Sequence, residues 1–207
     1  SLRGKELKDL GTFTIVKNEA IWIGFHIVSM YELVSEMIFY DCGSTDGTVE
    51  IIKYIQDSNK LAAKKIKLFQ VEDCKDLKDS YVELFNRCLG EVKSKYAWFL
   101  HPDMIPTKYD YNAGQKIKLM AQYVNLEHIA GNPGETLYKF TEGRSSKWKS
   151  IMLNDLGLHY HGHYGAQDED MYFKDVTGDS YEIYGDLKKY PYEITNSGIH
   201  LNHYSDV

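Results

Sequence analysis

The five residues Tyr96-Ala97-Trp98-Phe99-Leu100 form an unbroken apolar run, and no other stretch limits the fold so sharply. A strand with one face in water alternates, whereas a strand without alternation is covered on both faces. Such a strand needs helices above and below it, which is the α/β arrangement. The preceding residues supply them. Thr12 to Val16 reads as a first strand whose polar tip is Lys17-Asn18-Glu19. Ile21 to Ser35 reads as a largely buried helix, with His26, Ser29, Glu32 and Glu36 as a narrow polar stripe and His26 facing solvent or a cap. Ile38 to Asp41 is a second strand, Thr48 to Ser58 its helix, and Ile66 to Val71 a third strand after a lysine-rich connector. Glu72 to Asp79 reads as a solvated charged loop, and Tyr81, Phe85, Cys88 and Val92 as one apolar helix face. Strands and helices therefore alternate up to Leu100, which predicts a parallel sheet with right-handed crossovers.

At 207 residues the chain is expected to be one domain with ample core. An opening at Ser1 rather than methionine suggests a trimmed chain. No apolar run approaches the ~20 residues that span a bilayer, and no signal-peptide pattern is present. Three cysteines, Cys42, Cys74 and Cys88, are too few and too unpatterned for a disulfide framework or a zinc cluster and fit a reducing cytoplasm. A net charge of −6 argues against a nucleic-acid partner, which needs a basic face. It also means that a phosphorylated ligand would rely on a metal or backbone dipoles.

The stretch Ile38-Phe39-Tyr40-Asp41-Cys42-Gly43-Ser44-Thr45-Asp46-Gly47-Thr48 reads as strand, tight turn and helix N-terminus. In open α/β sheets ligands bind there, with loop N–H groups and the helix dipole available to an anion. An ordinary turn capped by Ser44, Thr45 or Asp46 accounts for the same residues. Three acids then end strands: Glu19, Asp41 and Asp103. Carboxylates at one sheet edge repel one another and lose solvation, so a hard cation shared with a diphosphate would complement them. Asp103 also reads as a simple turn residue after Pro102.

Val16-Lys17-Asn18-Glu19-Ala20, the Asp41-to-Thr48 loop, and Asn86 leading into Tyr96-Ala97-Trp98-Phe99-Leu100-His101-Pro102-Asp103 together resemble family 2 glycosyltransferases of the GT-A fold. The resemblance covers residues 12 to about 105. It implies a Rossmann-type sandwich with a central, mostly parallel sheet flanked by helices. It also implies a nucleotide-diphosphate sugar donor and a divalent metal, Mn²⁺ or Mg²⁺. Val16, Asn18 and Glu19 would border the nucleoside, Asp41 would sit by the base or ribose, and Ser44 and Asp46 would shape that loop. Asp103 would bind the metal. Two positions depart from the family. His101 stands where the first acid of Asp-x-Asp is usual, and a neutral imidazole still ligates Mn²⁺. Cys42 stands where many members carry a second acid, which leaves the nucleotide open.

Residues 109 to 207 have a different character, holding twelve of the 17 tyrosines and six of the eight histidines. With no linker between them, residues 1–108 and 109–207 read as two halves of one domain: a nucleotide-sugar half and an irregular acceptor half. Gly165-Ala166-Gln167-Asp168-Glu169-Asp170 resembles the Glu-Asp motif whose aspartate is the general base, here Asp170, with Asp168 and Glu169 next in line; a solvated helix start accounts for the run equally. His200-Leu201-Asn202-His203-Tyr204 resembles the late metal histidine of many GT-A enzymes. In a strand only one of His200 and His203 reaches the site, and His203 is chosen. His159, His161 and His163 share a face if extended, as a zinc site or, preferably, an acceptor lining with Trp148, Tyr160, Tyr164 and Tyr172.

The reaction implied is transfer of a hexosyl group from the nucleotide sugar to a hydroxyl of a carbohydrate or glycolipid acceptor. A single displacement would invert the anomeric centre. By analogy with the family the setting would be cytoplasmic, peripheral to a membrane, in surface-polysaccharide assembly. Two rivals remain. One is a nucleotidyltransferase, disfavoured because Val16 to Glu19 is not a glycine-rich basic loop. The other is a non-catalytic sugar- or nucleotide-binding module, suggested by His101.

Overall fold

The computed structural model describes the backbone of residues 10–71, 77–108, 121–130, 139–140, 144–153, 159–161, 172–174, 180–182 and 195–203, and the side chains of 10–71 and 83–105. The chain begins with β1 (Leu10–Val16), α1 (Ile23–Tyr31), β2 (Glu36–Asp41), α2 (Thr48–Gln56), α3 (Lys60–Lys65), β3 (Ile66–Gln70), α4 (Leu77–Gly90) and β4 (Tyr96–Phe99). Strands β3, β2, β1 and β4 lie side by side in that order, all parallel. The alternating pattern thus folds as expected.

The two faces of this sheet are covered by different helices. Val16, Phe39 and Trp98 share a core with Ile23, Ile27 and Met30 of α1 and Ile52 of α2. Residues one step along each strand point the other way. There Phe99 meets Phe13 at 5.4 Å and Phe85 of α4 at 4.3 Å between ring centroids. Phe13, Phe85, Trp98 and Phe99 are all essentially removed from solvent.

The sheet does not stop at β4. Five further strands, β5 (Met104–Lys108), β6 (Ala121–Ala130), β7 (Lys139–Phe140), β8 (Arg144–Leu153) and β12 (Thr195–His203), join it. Their order beyond β4 is β8, β6, β12, β5, with β7 on β6. Strand β8 is antiparallel to β4, so the sheet becomes mixed. Short strands β9 (His159–His161), β10 (Tyr172–Lys174) and β11 (Ser180–Glu182) form a separate antiparallel sheet. Strands β5 to β8 and β12 therefore continue the sheet of β1 to β4, whereas, among the described residues, β9 to β11 pair only with one another.

Three expectations for the first half are corrected. The helix after β1 is shorter than Ile21 to Ser35, and its polar stripe is wrongly drawn. His26 is fully buried, Glu36 lies buried at the start of β2, and Ile21, Phe25 and Val28 are each 68% exposed. The lysine-rich connector is in part a helix, α3, capped by the Asn59 side chain accepting from the N–H groups of Leu61 and Ala62. The charged stretch from Glu72 gives way to helix at Leu77, residues 72–76 lying outside the described part.

At the amino ends of the strands, Glu36 gathers three segments. Its Oε1 accepts from the N–H groups of Lys93 (2.6 Å) and Ser94 (2.5 Å) and from Ser94 Oγ (2.8 Å), while Oε2 meets Lys67 Nζ at 3.2 Å. Against it lies Gly11, where a Cβ would come within 2.9 Å of Glu36 Cγ and 2.7 Å of Val92 Cγ1.

Candidate functional site

The strand order locates the site. From β1 the chain proceeds outward to β2 and β3, then returns to place β4 on the other side of β1. The carboxyl ends of β1 and β4 therefore flank a topological switch point, the position where open α/β sheets bind ligands. Glu19 follows β1 there and Asp103 follows β4.

The loops after β1 and β2 are laced together. Asn18, at φ 58°, gives its N–H to Ser44 Oγ (2.9 Å) and accepts from the Thr45 N–H through Oδ1 (2.9 Å). Glu19 N–H donates to Thr48 Oγ1 at 2.8 Å, and Ala20 N–H to Asp46 Oδ2 at 2.9 Å. Asp46 Oδ1 accepts from both the N–H (3.0 Å) and the hydroxyl (2.6 Å) of Thr48. Desolvation opposes its ionisation, but these bonds, led by the Thr48 hydroxyl, hold the Asp46 carboxyl below its ordinary range. Buried Asp41 accepts from the N–H groups of Gly43 (3.1 Å) and Ser44 (3.2 Å). Gly43 and Gly47 adopt φ of 78° and 100°, the left-handed region that favours glycine.

This lacing corrects two expectations. The N–H groups of Gly43, Ser44, Thr45 and Thr48 are already engaged by Asp41, Asn18 and Asp46, so the loop does not hold them ready for an anion. The residue preceding the helix is Gly47, with Asp46 reaching the first helical N–H from one place earlier. Thr48, missed from sequence, is the hub of the lacing. A hydroxyl at the first helical position, just after Asp-Gly, was the available signal.

The expected convergence of three acids is also modified. Glu19 is half-buried, and its carboxyl is pushed up to about 7, first by burial, then by the Asp103 and Asp46 carboxylates. Glu19 and Asp103 thus share one patch of field. Asp41 ends β2, on the far side of β1 from β4. At a strand spacing of about 4.8 Å, the two strands lie about 10 Å apart. Asp41 thus ends a strand one place further from β4 than the strand that carries Glu19.

His101 stacks its ring edge-on to Phe99, centroids 5.0 Å apart, and its carbonyl accepts the Met104 N–H at 3.1 Å, closing the turn that carries Asp103. Asp103 Oδ1 is shielded from solvent. His203 lies in β12, where it is the register partner of Met104 on β5 and of His128 on β6. The backbone thereby brings His203 one residue from Asp103 in register. No cluster of three or more metal-ligating side chains occurs among the described residues.

Asp168, Glu169, Asp170, His163 and Tyr164 lie outside the described residues. His159 and His161 are in β9, paired with Lys174 and Tyr172 of β10. Trp148 is in β8.

His26, expected at the surface, is instead buried beneath this edge. Its Nδ1 lies 3.2 Å from the Met104 carbonyl oxygen, and its ring sits edge-on to Phe39. Burial pushes the imidazole down to about 4, against smaller opposing effects of the Met104 bond and Asp103.

No protein-family profile matches the sequence, and no curated protein matches it. Solved structures do. The chain is similar to TarS of S. aureus, residues 1–349 in complex with UDP, at a TM-score of 0.55 and 14% identity, over 74% of this chain and 50% of that one. A longer TarS structure matches at 0.53 and 13%, over 74% and 30%. A mannosyltransferase from Pyrobaculum calidifontis, in complex with GDP-Man and Mn²⁺, matches more loosely at 0.45 and 13%, over 63% and 38%. The chain spans about half the length of the first TarS structure. At these identities the likeness is one of fold, and the fold is GT-A.

Proposed function

We propose that the chain is a glycosyltransferase domain that moves a hexosyl group from a nucleotide-diphosphate sugar to a hydroxyl of a carbohydrate or glycolipid acceptor. The observation that carries this is the meeting of Glu19 and Asp103 at the switch point of a GT-A sheet, with Glu19 raised to about 7. Such a patch repels a diphosphate unless a cation lies between them.

The donor set fits a divalent metal. Asp103 would supply a carboxylate, and His101 and His203 would supply imidazoles, a mixture suited to Mn²⁺ and, through the carboxylate, to Mg²⁺. When bound, the metal supplies charge neutralisation for the departing nucleoside diphosphate. Val16, Asn18, Glu19 and Asp41 would border the nucleoside. Ser44 and Asp46 act through the lacing, keeping the two loops at a fixed separation. Asp170, with Asp168 and Glu169 as alternatives, would take the proton of the acceptor hydroxyl as it attacks the anomeric carbon. One displacement leaves the configuration inverted.

Calorimetric titration with UDP and GDP, with and without Mn²⁺, tests the reading. The expected result is nucleotide binding that needs Mn²⁺ in the unaltered chain and is lost in Asp103→Asn. Binding of neither nucleotide, or binding indifferent to Mn²⁺ and to Asp103→Asn, would overturn it. Release of free nucleoside diphosphate from a sugar donor then separates a transferase from a binding module.

A further inference from the structure

A buried histidine whose second nitrogen finds no hydrogen-bond partner among the described residues is an expensive way to fill a helix–sheet interface. His26 is fully buried on α1, and its Nε2 is in that position. An apolar residue at this place would pack without leaving a polar atom bare. What an apolar residue lacks is a donor at Nδ1. A carbonyl oxygen only accepts, so the 3.2 Å contact with Met104 requires the proton on His26 Nδ1. Met104 directly follows Asp103, donates to the His101 carbonyl, and opens β5, where it pairs with His203. One residue thus joins the Asp103 turn, the next strand and the register of His203, and His26 grips it from α1.

We propose that His26 is a positioning residue: its Nδ1–H holds the Met104 carbonyl and, through that peptide, fixes the Asp103 turn and the start of β5 beside Glu19. Its importance for the cation rests on the reading of Asp103 as a metal ligand given above. Groups that orient metal ligands typically matter by 10–100-fold in affinity.

The paired variants His26→Asn and His26→Gln test this, because the Asn amide reaches the Nδ1 position and the Gln amide the Nε2 position. In H26Q the Mn²⁺ affinity, measured by titration of the whole chain, is expected to fall about tenfold or more. The amides of 101–108 should also exchange faster with deuterium in the metal-free protein. H26N should keep both readings within about threefold of the unaltered chain. Equal behaviour of the two variants would overturn the proposal. If the unaltered chain binds no Mn²⁺, the metal reading fails, and the exchange contrast still decides the role of His26. Should H26Q not fold, nitrogen NMR of ¹⁵N-histidine in the unaltered chain decides: an Nδ1–H tautomer at His26 is required, and an Nε2–H tautomer refutes it.

Discussion

Glu19 and Asp103 leave the sheet from adjacent parallel strands, and burial, reinforced by the Asp103 carboxylate, holds Glu19 at about 7, well above the 4.5 of an ordinary glutamate. A carboxyl raised in the folded state binds its proton more tightly there than in the unfolded chain. Stability should therefore fall as pH rises from 4.5 towards 7, and level off above. For a half-exposed group the change is about 1–2 kcal/mol after solvent screening. Urea melts across that range should show the slope, and Glu19→Gln should flatten it. Saturating Mn²⁺ should flatten it too, if the cation sits at this edge.

Thr48 is the knot between the two site loops. Thr48→Val keeps the shape but removes the acceptor for Glu19 N–H and the donor to Asp46. The expected loss is about 1–3 kcal/mol in chemical denaturation. Nucleotide affinity should fall as well, because the loops carrying Asn18 and Ser44 are no longer held in register.

Glu36 works at the opposite end of the strands. Burial opposes its ionisation, but the Ser94 hydroxyl and N–H, the Lys93 N–H and Lys67 together hold it below its usual range. The stability it contributes is present above pH 4.5 and is lost as pH falls through its lowered value. Glu36→Ala should cost about 2–4 kcal/mol by leaving two N–H groups bare. It should also remove that part of the acid limb of a pH–stability curve. Nucleotide binding should be unaffected, since the proposed site lies at the other end of the strands.

Two glycines should separate crowding from backbone strain. Gly11→Ala drives a Cβ against Val92 and Glu36, with an expected cost of about 1–3 kcal/mol. Gly47→Ala meets nothing within 4 Å but must hold φ near 100°, costing about 1 kcal/mol or slightly more. Thermal melts of the two variants, and of Gly11→Ser as a bulkier control, check both.

The parallel core was legible because each of its strands carries its own signal. Tyr96 to Phe99 is apolar throughout and lies between two neighbours, and Asp41 marks the end of β2 as its charge suggested. The α1 helix was misread for a local reason. His26 sits three residues after Ile23 and four before Met30, on the buried face, but its polarity placed it with Ser29 instead. Periodicity outweighs residue type when the two disagree. The extension of the sheet beyond β4 was not legible at all. Strand β8 pairs with β4 although β5, β6 and β7 intervene in sequence, and long-range pairing leaves no mark in a local window. The same holds for the register of His203 with Met104. His203 was selected by motif order alone.

That pairing also bears on how the protein comes into being. A chain leaving the ribosome amino end first can close β1 to β4 through local crossovers as soon as α4 and β4 are out. Strand β5, although it follows at once, has its described partner in β12, far downstream. The shelf holding Asp103 is consequently finished late. A nascent chain halted before residue 195 would present a folded parallel half in which β5, just past Asp103, still lacks its partner strand.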